Sequence, residues 1–348
     1  MSTFHNIPIK NITKETADAV SVVFDIPDAK KLQFSFKAGQ YVTLKTEING
    51  EEVRRAYSIC SSPQSGEVKV AIKAVENGKF SVYATEKLAA GDLIEVHEPE
   101  GKFILEPQAK KNYIAFAAGS GITPMMSMIK ATLQNTPQAN FTLIYGNKSE
   151  TDAIFKSELD HLQEAFSNRF NLHYVFSRQN VAGSLFGRID QGITNFFIAK
   201  TYKNISFDAA YLCGPEAMIN TVSETLQDNG LSEGKILFEL FTASSEEVDT
   251  SDVPNGETAV TIMLDDEELF FTMKQKDDIL SSSLRNKVDA PYSCQGGICS
   301  SCIAKVTEGK AVMVKNSILT DGEVEEGFIL TCQAHPTTSK IYVDFDDV

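Results

Sequence analysis

Apolar and polar residues alternate in short runs through residues 1–107, and turn signals separate the runs. Strands are expected at 19–26, 40–48, 52–60, 67–75 and 92–98, with Asn49-Gly50 and Asn77-Gly78 as turns between them. That pattern predicts an antiparallel barrel or sandwich. Over 108–241 the pattern changes. Continuous apolar runs at 113–118, 141–145, 172–176 and 209–213 alternate with helix-periodic stretches at 124–133, 152–166 and 216–229. Runs apolar on both faces suit buried parallel strands, so an α/β doubly wound domain is expected. Residues 242–257 are rich in Ser, Thr, Glu and Asp and read as an acidic, solvated linker. A small α+β module follows over 258–348, with an amphipathic helix near 277–286. The fold class is therefore multidomain: an antiparallel barrel or sandwich, an α/β domain and an α+β module.

The last module holds four of the six cysteines, Cys294, Cys299, Cys302 and Cys332. The first three are spaced C-x4-C-x2-C, and 29 residues separate Cys302 from Cys332. This is the plant-type spacing for a 2Fe–2S cluster, in which one long loop carries three ligands and a distant strand returns the fourth. Gly296 and Gly297 let that loop turn sharply and bring N–H groups toward sulfur. A zinc site and disulfides are the bland alternatives. Zinc folds usually present two short cysteine pairs, which this spacing lacks, and disulfides require an oxidising compartment.

Charge adds a partner argument. The net charge of −15 is concentrated in 242–348, where 20 acids meet 8 bases, whereas 1–241 hold 27 acids and 24 bases. Such a balance disfavours nucleic acid and anionic membranes, and an acidic redox module would be steered toward a basic patch on an electron acceptor. Solubility alone would explain the same bias. No secretory pattern and no apolar run of spanning length is present, so the expected location is the cytosol and no membrane insertion is expected.

Nucleotide chemistry is written at four places. Arg54-Arg55-Ala56-Tyr57-Ser58 ends a predicted strand, and Ile72-Lys73-Ala74-Val75-Glu76-Asn77-Gly78-Lys79-Phe80-Ser81 carries the next strand into a turn. A flavin nucleotide needs a cation for its pyrophosphate, an aromatic face for its ring and N–H groups at a helix start; Arg55, Tyr57 and the Gly78–Ser81 turn offer all three. In the α/β section, Ala118-Gly119-Ser120-Gly121-Ile122-Thr123-Pro124 follows the first strand and opens a helix, with Pro124 suited to the first helical turn. It departs from the G-x-G-x-x-G fingerprint, since Pro124 stands at the third glycine. A second strand-to-helix turn is Cys213-Gly214-Pro215-Glu216-Ala217-Met218. Two such turns at the carboxyl ends of parallel strands make a crevice for a nicotinamide nucleotide.

Taken in order, R-x-Y-S, the Gly78–Ser81 turn, G-S-G-I-T-P, C-G-P and the cysteine loop resemble the ferredoxin–NADP reductase superfamily, in the oxygenase-reductase arrangement with a C-terminal β-grasp ferredoxin domain. The runs Gly50-Glu51-Glu52-Val53-Arg54-Arg55, Tyr57-Ser58-Ile59-Cys60, Phe141-Thr142-Leu143-Ile144-Tyr145-Gly146-Asn147 and Val343-Asp344-Phe345-Asp346 resemble the reductases of phenylacetyl-CoA epoxidase complexes. The resemblance implies that Arg55 pairs with the FAD pyrophosphate, Tyr57 packs on the isoalloxazine and Ser58 bonds near N5. It also implies that Ile72, Lys73, Gly78, Phe80 and Ser81 hold the flavin nucleotide. Gly119, Gly121, Thr123, Pro124, Cys213, Gly214, Pro215 and Met218 would line the nicotinamide crevice. Glu239 and Phe241 would stand beside the flavin, with Ser58, Thr123, Cys213 and Glu239 as the catalytic set.

Ser177-Arg178, with Lys148 nearby, resembles a clamp for a 2′-phosphate and favours NADPH over NADH. The implied activity is electron transfer from NADPH through FAD and the 2Fe–2S cluster to an oxygenase component. Acceptors of other kinds stay open: a ring-hydroxylating oxygenase, a desaturase or a hybrid-cluster protein. A redox sensor without turnover and a zinc-stabilised binding module are the rivals from other classes. The five histidines show no ligand spacing, Cys60 reads as a buried apolar residue, and Met125, Met126 and Met128 read as packing. No hydrolase or Walker pattern is present.

Overall fold

The computed structural model describes residues 4–241 and 253–348. Most of the expected linker, 242–252, lies outside the described residues. Two compact units result, one formed by Phe4–Val53 with Tyr57–Phe241, the other by the C-terminal residues with Arg54–Ala56. Among the described residues no helix is long and apolar enough to cross a membrane.

The first unit begins with strands β1 (His5–Thr16), β2 (Ala19–Phe24), β3 (Tyr41–Ile48), β4 (Glu51–Ser58) and β5 (Val68–Lys73), helix α1 (Lys79–Glu86) and strand β6 (Leu93–Val96). They form one six-stranded sheet in the order β4-β3-β6-β1-β2-β5. Beyond Ser58 the sheet closes on itself, because Ile59 bridges Val70 and the Cys60 N–H donates to Lys69 O at 2.8 Å. Ile7, Val22, Val42, Leu44, Val70, Ile72 and Phe80 fill the interior. Asn49 and Gly50 both have positive φ (55° and 81°), as a two-residue hairpin turn between β3 and β4 demands. Strand β1 was not expected: its alternation fades after Ile9, and its pairing with β2 shifts register twice.

Next come β7 (Asn112–Ala118), α2 (Ile122–Asn135), β8 (Asn140–Asn147), α3 (Lys156–Ala165), β9 (Phe170–Phe176), β10 (Leu185–Phe186), α4 (Gln191–Asn195), β11 (Ala209–Cys213), α5 (Glu216–Asp228) and β12 (Ile236–Glu239). All six strands are parallel, in the order β10-β9-β8-β7-β11-β12. The chain leaves β7 to build one side of the sheet and leaves β11 to build the other, so the order reverses between these neighbours. Helix α2 is buried from Ile122 to Leu133, and its three methionines are fully enclosed. It packs on the sheet with one face and on barrel residues Ala38, Cys60, Ala71 and Phe103 with another, which is why it is apolar nearly all round. Helix α3 starts later than expected, because Phe155 takes a left-handed conformation (φ 61°) and separates it from a turn of 3-10 helix at Glu150–Asp152. Helix α4, N-capped by Asp190, runs into a π-helical turn at Phe196–Thr201. Neither it nor the short, half-exposed β12 has a periodic signal long enough to read.

The C-terminal unit contains β13 (Glu257–Leu264), β14 (Glu267–Lys274), α6 (Ile279–Arg285), β15 (Ile303–Glu308), β16 (Ala311–Met313), α7 (Asp321–Glu325), β17 (Phe328–Leu330), β18 (Ala334–Pro336) and β19 (Lys340–Asp344). A mixed sheet in the order β14-β13-β19-β15-β17 is joined by a β16–β18 ribbon. Asp278 caps α6 by accepting from Ser281 N–H at 2.7 Å, so the expected helix at 277–286 is present with slightly tighter bounds. The β13–β14 turn has Asp265 and Asp266 at positive φ, and the Asp346 carboxylate accepts both of their N–H groups at 3.0 and 2.9 Å.

One contact ties the α/β half together. A Cβ built on Gly121 would lie 2.1 Å from Cys213 O, so the turns after β7 and β11 abut there. Gly121→Ala is expected to force them apart and to cost about 1–3 kcal/mol, the usual range for overpacking. Thermal unfolding of the two proteins side by side checks this; equal melting temperatures would remove the contact from the account.

Candidate functional site

The carboxyl ends of β7 and β11 meet where the strand order reverses, the place at which open α/β sheets bind ligands. Gly119 has φ 55° and gives its turn a conformation that a side chain would resist. Tyr145, enclosed on β8, donates its hydroxyl to Gly119 O at 3.0 Å and pins the turn from below. Thr123, 1% exposed, donates to Ser120 O at 3.1 Å, and Pro124 lies buried in the first turn of α2. On the other side Pro215 is the N-cap of α5. A Cβ on Gly214 would meet Met218 Cε at 2.7 Å and Ala118 Cβ at 3.1 Å. The predicted nicotinamide residues are thus brought to one crevice.

Into the same region come Ser58, at the end of β4, and Glu239, at the end of β12. Ser58 Oγ donates to Glu239 Oε2 at 3.1 Å, joining residues 181 positions apart. Burial pushes the Glu239 carboxyl up to about 8, against the opposing pull of the Ser58 hydrogen bond. By accessible area Glu239 is still partly open. The crevice therefore has a mouth, and the densely packed protein around the carboxylate, rather than complete sealing, is what raises it. Cys213 is fully buried, and its thiol is pushed up first by burial and then by the neighbouring Glu239 charge. A carboxyl that keeps its proton at neutral pH, hydrogen-bonded to a serine, can hold or pass a proton beside a redox ring.

On the barrel, Arg55 is exposed and donates through Nη1 to Arg54 O at 2.7 Å. The Tyr57 ring stands 5.5 Å from that of Phe80, tilted by 39°. Gly78 precedes α1, and a Cβ there would meet Ser81 Oγ at 2.4 Å and Val75 O at 3.0 Å. Ser81 Oγ accepts the Val75 N–H at 3.1 Å and so shapes the turn that the helix start depends on. The Ile72 and Phe80 side chains belong to the barrel core, Ile72 is paired opposite Val20 in the β2–β5 ladder, and Lys73 pairs with Asp18 at 3.5 Å. A glycine with no room for a side chain at a helix start, beside a tyrosine, fits a flavin pyrophosphate and ring.

At the outer end of the sheet, the Ser177 and Arg178 N–H groups donate to Asn147 O and Lys148 O at 3.0 and 2.9 Å, extending the β8–β9 ladder past the strands. This holds the Arg178 side chain out in solvent, where its guanidinium has no partner among the described residues. Nearby, Asn147 Nδ2 is buried on the side of the Tyr145 hydroxyl, without a partner at hydrogen-bond geometry among the described residues. An exposed cation without a partner among the described residues fits an oxygen-rich ligand group.

In the C-terminal unit all four cysteines are free thiols. The Cys294 thiol faces those of Cys299 and Cys332, and Cys302 faces Cys332. Hydrogen bonding from Cys299 and Cys332 holds Cys294 well below the usual thiol range, and Cys332 does the same for Cys302. The C-x4-C-x2-C spacing with a distant fourth cysteine suits two irons with two thiolates each better than one tetrahedral zinc. Gly296 N–H donates to Cys294 Sγ at 3.3 Å, and Ser293 Oγ is buried beside it with no hydrogen-bond partner among the described residues. Both suit a sulfur-rich guest.

Comparison with known proteins agrees with this geometry. Three family models match in order: an oxidoreductase FAD-binding domain over 6–104, an oxidoreductase NAD-binding domain over 116–224, and a 2Fe-2S iron-sulfur cluster binding domain over 262–337. One of the subunits of the 1,2-phenylacetyl-CoA epoxidase of Escherichia coli is 39% identical, with 99% of each chain covered. The chain belongs to the oxygenase-reductase family of the ferredoxin–NADP reductase superfamily. A further relative in this family is the ferredoxin reductase component of 3-ketosteroid-9-alpha-monooxygenase from Rhodococcus rhodochrous, 31% identical with 97% of this chain and 96% of the relative covered. Phthalate dioxygenase reductase shares the fold, with a TM-score of 0.62, 24% identity and 98% of each chain covered. This oxygenase reductase is accordingly an NAD(P)H-dependent oxidoreductase built for FAD, a nicotinamide nucleotide and a 2Fe–2S cluster.

Three residues of the reductase are not legible as site residues from sequence. Tyr145 and Asn147 stand inside an apolar strand run, and Gln333 follows the fourth cysteine. Their only signal is a polar group at a position whose neighbours are buried. The raised Glu239 pKa carries its own prediction. The folded chain keeps a proton on Glu239 that the unfolded chain releases near 4.5, so the stability contributed by this group falls as pH rises from about 4.5 to about 8. Glu239→Gln is expected to flatten that slope, matching the parent near pH 4 and exceeding it at pH 9. Parallel melting curves across this range check it, and an unchanged slope in the variant would refute it.

Proposed function

We propose that this reductase draws electrons from NADPH and delivers them to the oxygenase component of a phenylacetyl-CoA epoxidase. In this reading residues 1–107 hold FAD, 108–241 bind the nucleotide, 242–257 link and 258–348 carry the cluster. The observation that carries it is the Ser58–Glu239 pair at a strand-reversal crevice, on a chain that also carries four grouped thiols. When bound, FAD and a 2Fe–2S centre convert the two-electron chemistry of a reduced nicotinamide into single electrons.

The protein's own residues do the rest. Arg55 neutralises a pyrophosphate, the N–H groups after Gly78 donate to phosphate oxygens, and Tyr57 offers its face to the flavin. Phe241, 39% exposed two residues past Glu239, would stand beside the flavin. Glu239, protonated at neutral pH, holds a proton beside Ser58, and the pair would offer a proton donor to a flavin bound there. Thr123 and Cys213 line the floor on which the nicotinamide would lie, and Cys213, kept neutral, adds no competing charge. Cys294, Cys299, Cys302 and Cys332 are the iron ligands. The 39% identity over 99% of both chains to the epoxidase relative supports this acceptor over the others.

The choice of NADPH rests on Arg178, with Asn147 and Lys148 beside it. Removing a charge-assisted hydrogen bond costs about 1.5–3 kcal/mol, so Arg178→Ala should raise KM for NADPH by roughly ten- to a hundredfold and leave KM for NADH nearly unchanged. Steady-state reduction of a dye acceptor with each nucleotide measures this, and equal losses with both would assign Arg178 elsewhere.

The acceptor is tested by reconstitution with the oxygenase component of a phenylacetyl-CoA epoxidase. Substrate-dependent NADPH loss matched by epoxide is expected. Dye reduction without epoxide would retain the reductase and reject this partner.

A further inference from the structure

The cluster loop is held by a side chain outside its ligands. Gln333 follows Cys332 and is 8% exposed. Its Nε2 donates to Cys332 O at 2.8 Å and to Gln295 O at 3.2 Å. Gln295 sits in the left-handed region with φ 54°, a conformation that a non-glycine residue adopts at a cost and that a partner must sustain. Gln295 O and Gly296 N–H are the two ends of one peptide group, and the N–H end donates to Cys294 Sγ at 3.3 Å. The peptide is therefore fixed at its oxygen by Gln333 and presents its hydrogen to a ligand sulfur.

The clasp itself is rigid. Gln333 N–H donates to Leu330 O at 2.9 Å, and Gln333 O accepts from Val314 N–H at 3.0 Å. Gly297, at φ 71°, leaves no room beside it: a Cβ there would lie 3.0 Å from Gln333 Cγ and 3.1 Å from Lys315 O. Its own carbonyl accepts from Ser317 N–H at 3.2 Å. The loop and the turn of the fourth ligand, between β17 and β18, are thus interlocked around one amide.

We propose that Gln333 is a positioning residue that sets the reduction potential of the 2Fe–2S centre, by orienting the 295–296 peptide so that its N–H bonds to Cys294 sulfur. Hydrogen bonds to ligand sulfur stabilise the more negative, reduced form and raise the potential. A flipped peptide would turn its carbonyl oxygen toward the sulfur and act in the opposite direction. The inference rests on the assignment of the four cysteines as cluster ligands.

Two experiments keep these claims separate. Iron and acid-labile sulfide in the purified parent protein test the ligand assignment, and their absence would end both claims. Given a loaded parent, Gln333→Met removes the donor at nearly constant volume, and Gln333→Glu replaces it with an acceptor of the same shape. Potentiometric titration followed by EPR is expected to show the cluster of each variant harder to reduce. The reduction equilibrium should shift by about three- to tenfold, the worth of one hydrogen bond, where tenfold is about 59 mV for one electron. Deuterium exchange should shift the Fe–S stretching bands less in the variants than in the parent, reporting a lost N–H···S bond.

An unchanged potential with full iron content would overturn the proposal, even if melting temperature fell. So would loss of iron from both variants with the C-terminal unit still folded, since Gln333 would then be a structural clasp alone.

Discussion

A single close approach organises the catalytic half of this reductase. The turn after β7 and the turn after β11 touch at Gly121 and Cys213 O, with no space for even a methyl group between them. Because β7 and β11 are neighbours at which strand order reverses, their helices depart to different parts of the structure and leave an opening above. The β11–β12 pairing also sets Glu239 opposite Cys213 in register.

The same geometry explains a carboxyl group that does not behave like one. Glu239 ends a short strand beside a buried thiol and accepts one hydrogen bond from Ser58 of the barrel. One neutral donor does not repay the loss of water around a charge, so the proton stays. Helix α2 makes this possible by packing simultaneously on sheet and barrel, which holds the two partners of this bond in one compact unit. Lys130, nearly enclosed on that helix, reaches Cys60 O at 3.2 Å and Glu158 at 2.7 Å, so even its one charge is paired.

The C-terminal unit solves a different problem. Its loop must present several N–H groups to sulfur, which no regular helix or strand can do, because their N–H groups are already used. Residues in left-handed conformations, Gln295 and Gly297, free those groups, and side-chain and backbone contacts from Gln333 and Ser317 hold the resulting shape.

Periodicity was enough for an antiparallel β section, the parallel sheet, the buried methionine helix and the helix of the terminal module, because burial on one face or two imposes a repeat that survives in any single chain. Spacing alone marked the four cysteines as one group, and the strand-to-helix transitions marked the two glycine turns. Strands β1 and β12, the α4 turn and the break at Phe155 were illegible, since their conformations follow from neighbours distant in sequence. The Ser58–Glu239 bond belongs to the same class: 181 residues separate its ends. The raised carboxyl, the buried Asn147 donor and the Gln333 clasp arise only where separate segments exclude water together. Residue types and spacing determined which groups this chain brings to the site. Tertiary packing decided their protonation, partners and orientation, because those depend on desolvation and direction, and neither is a property of residues taken in order.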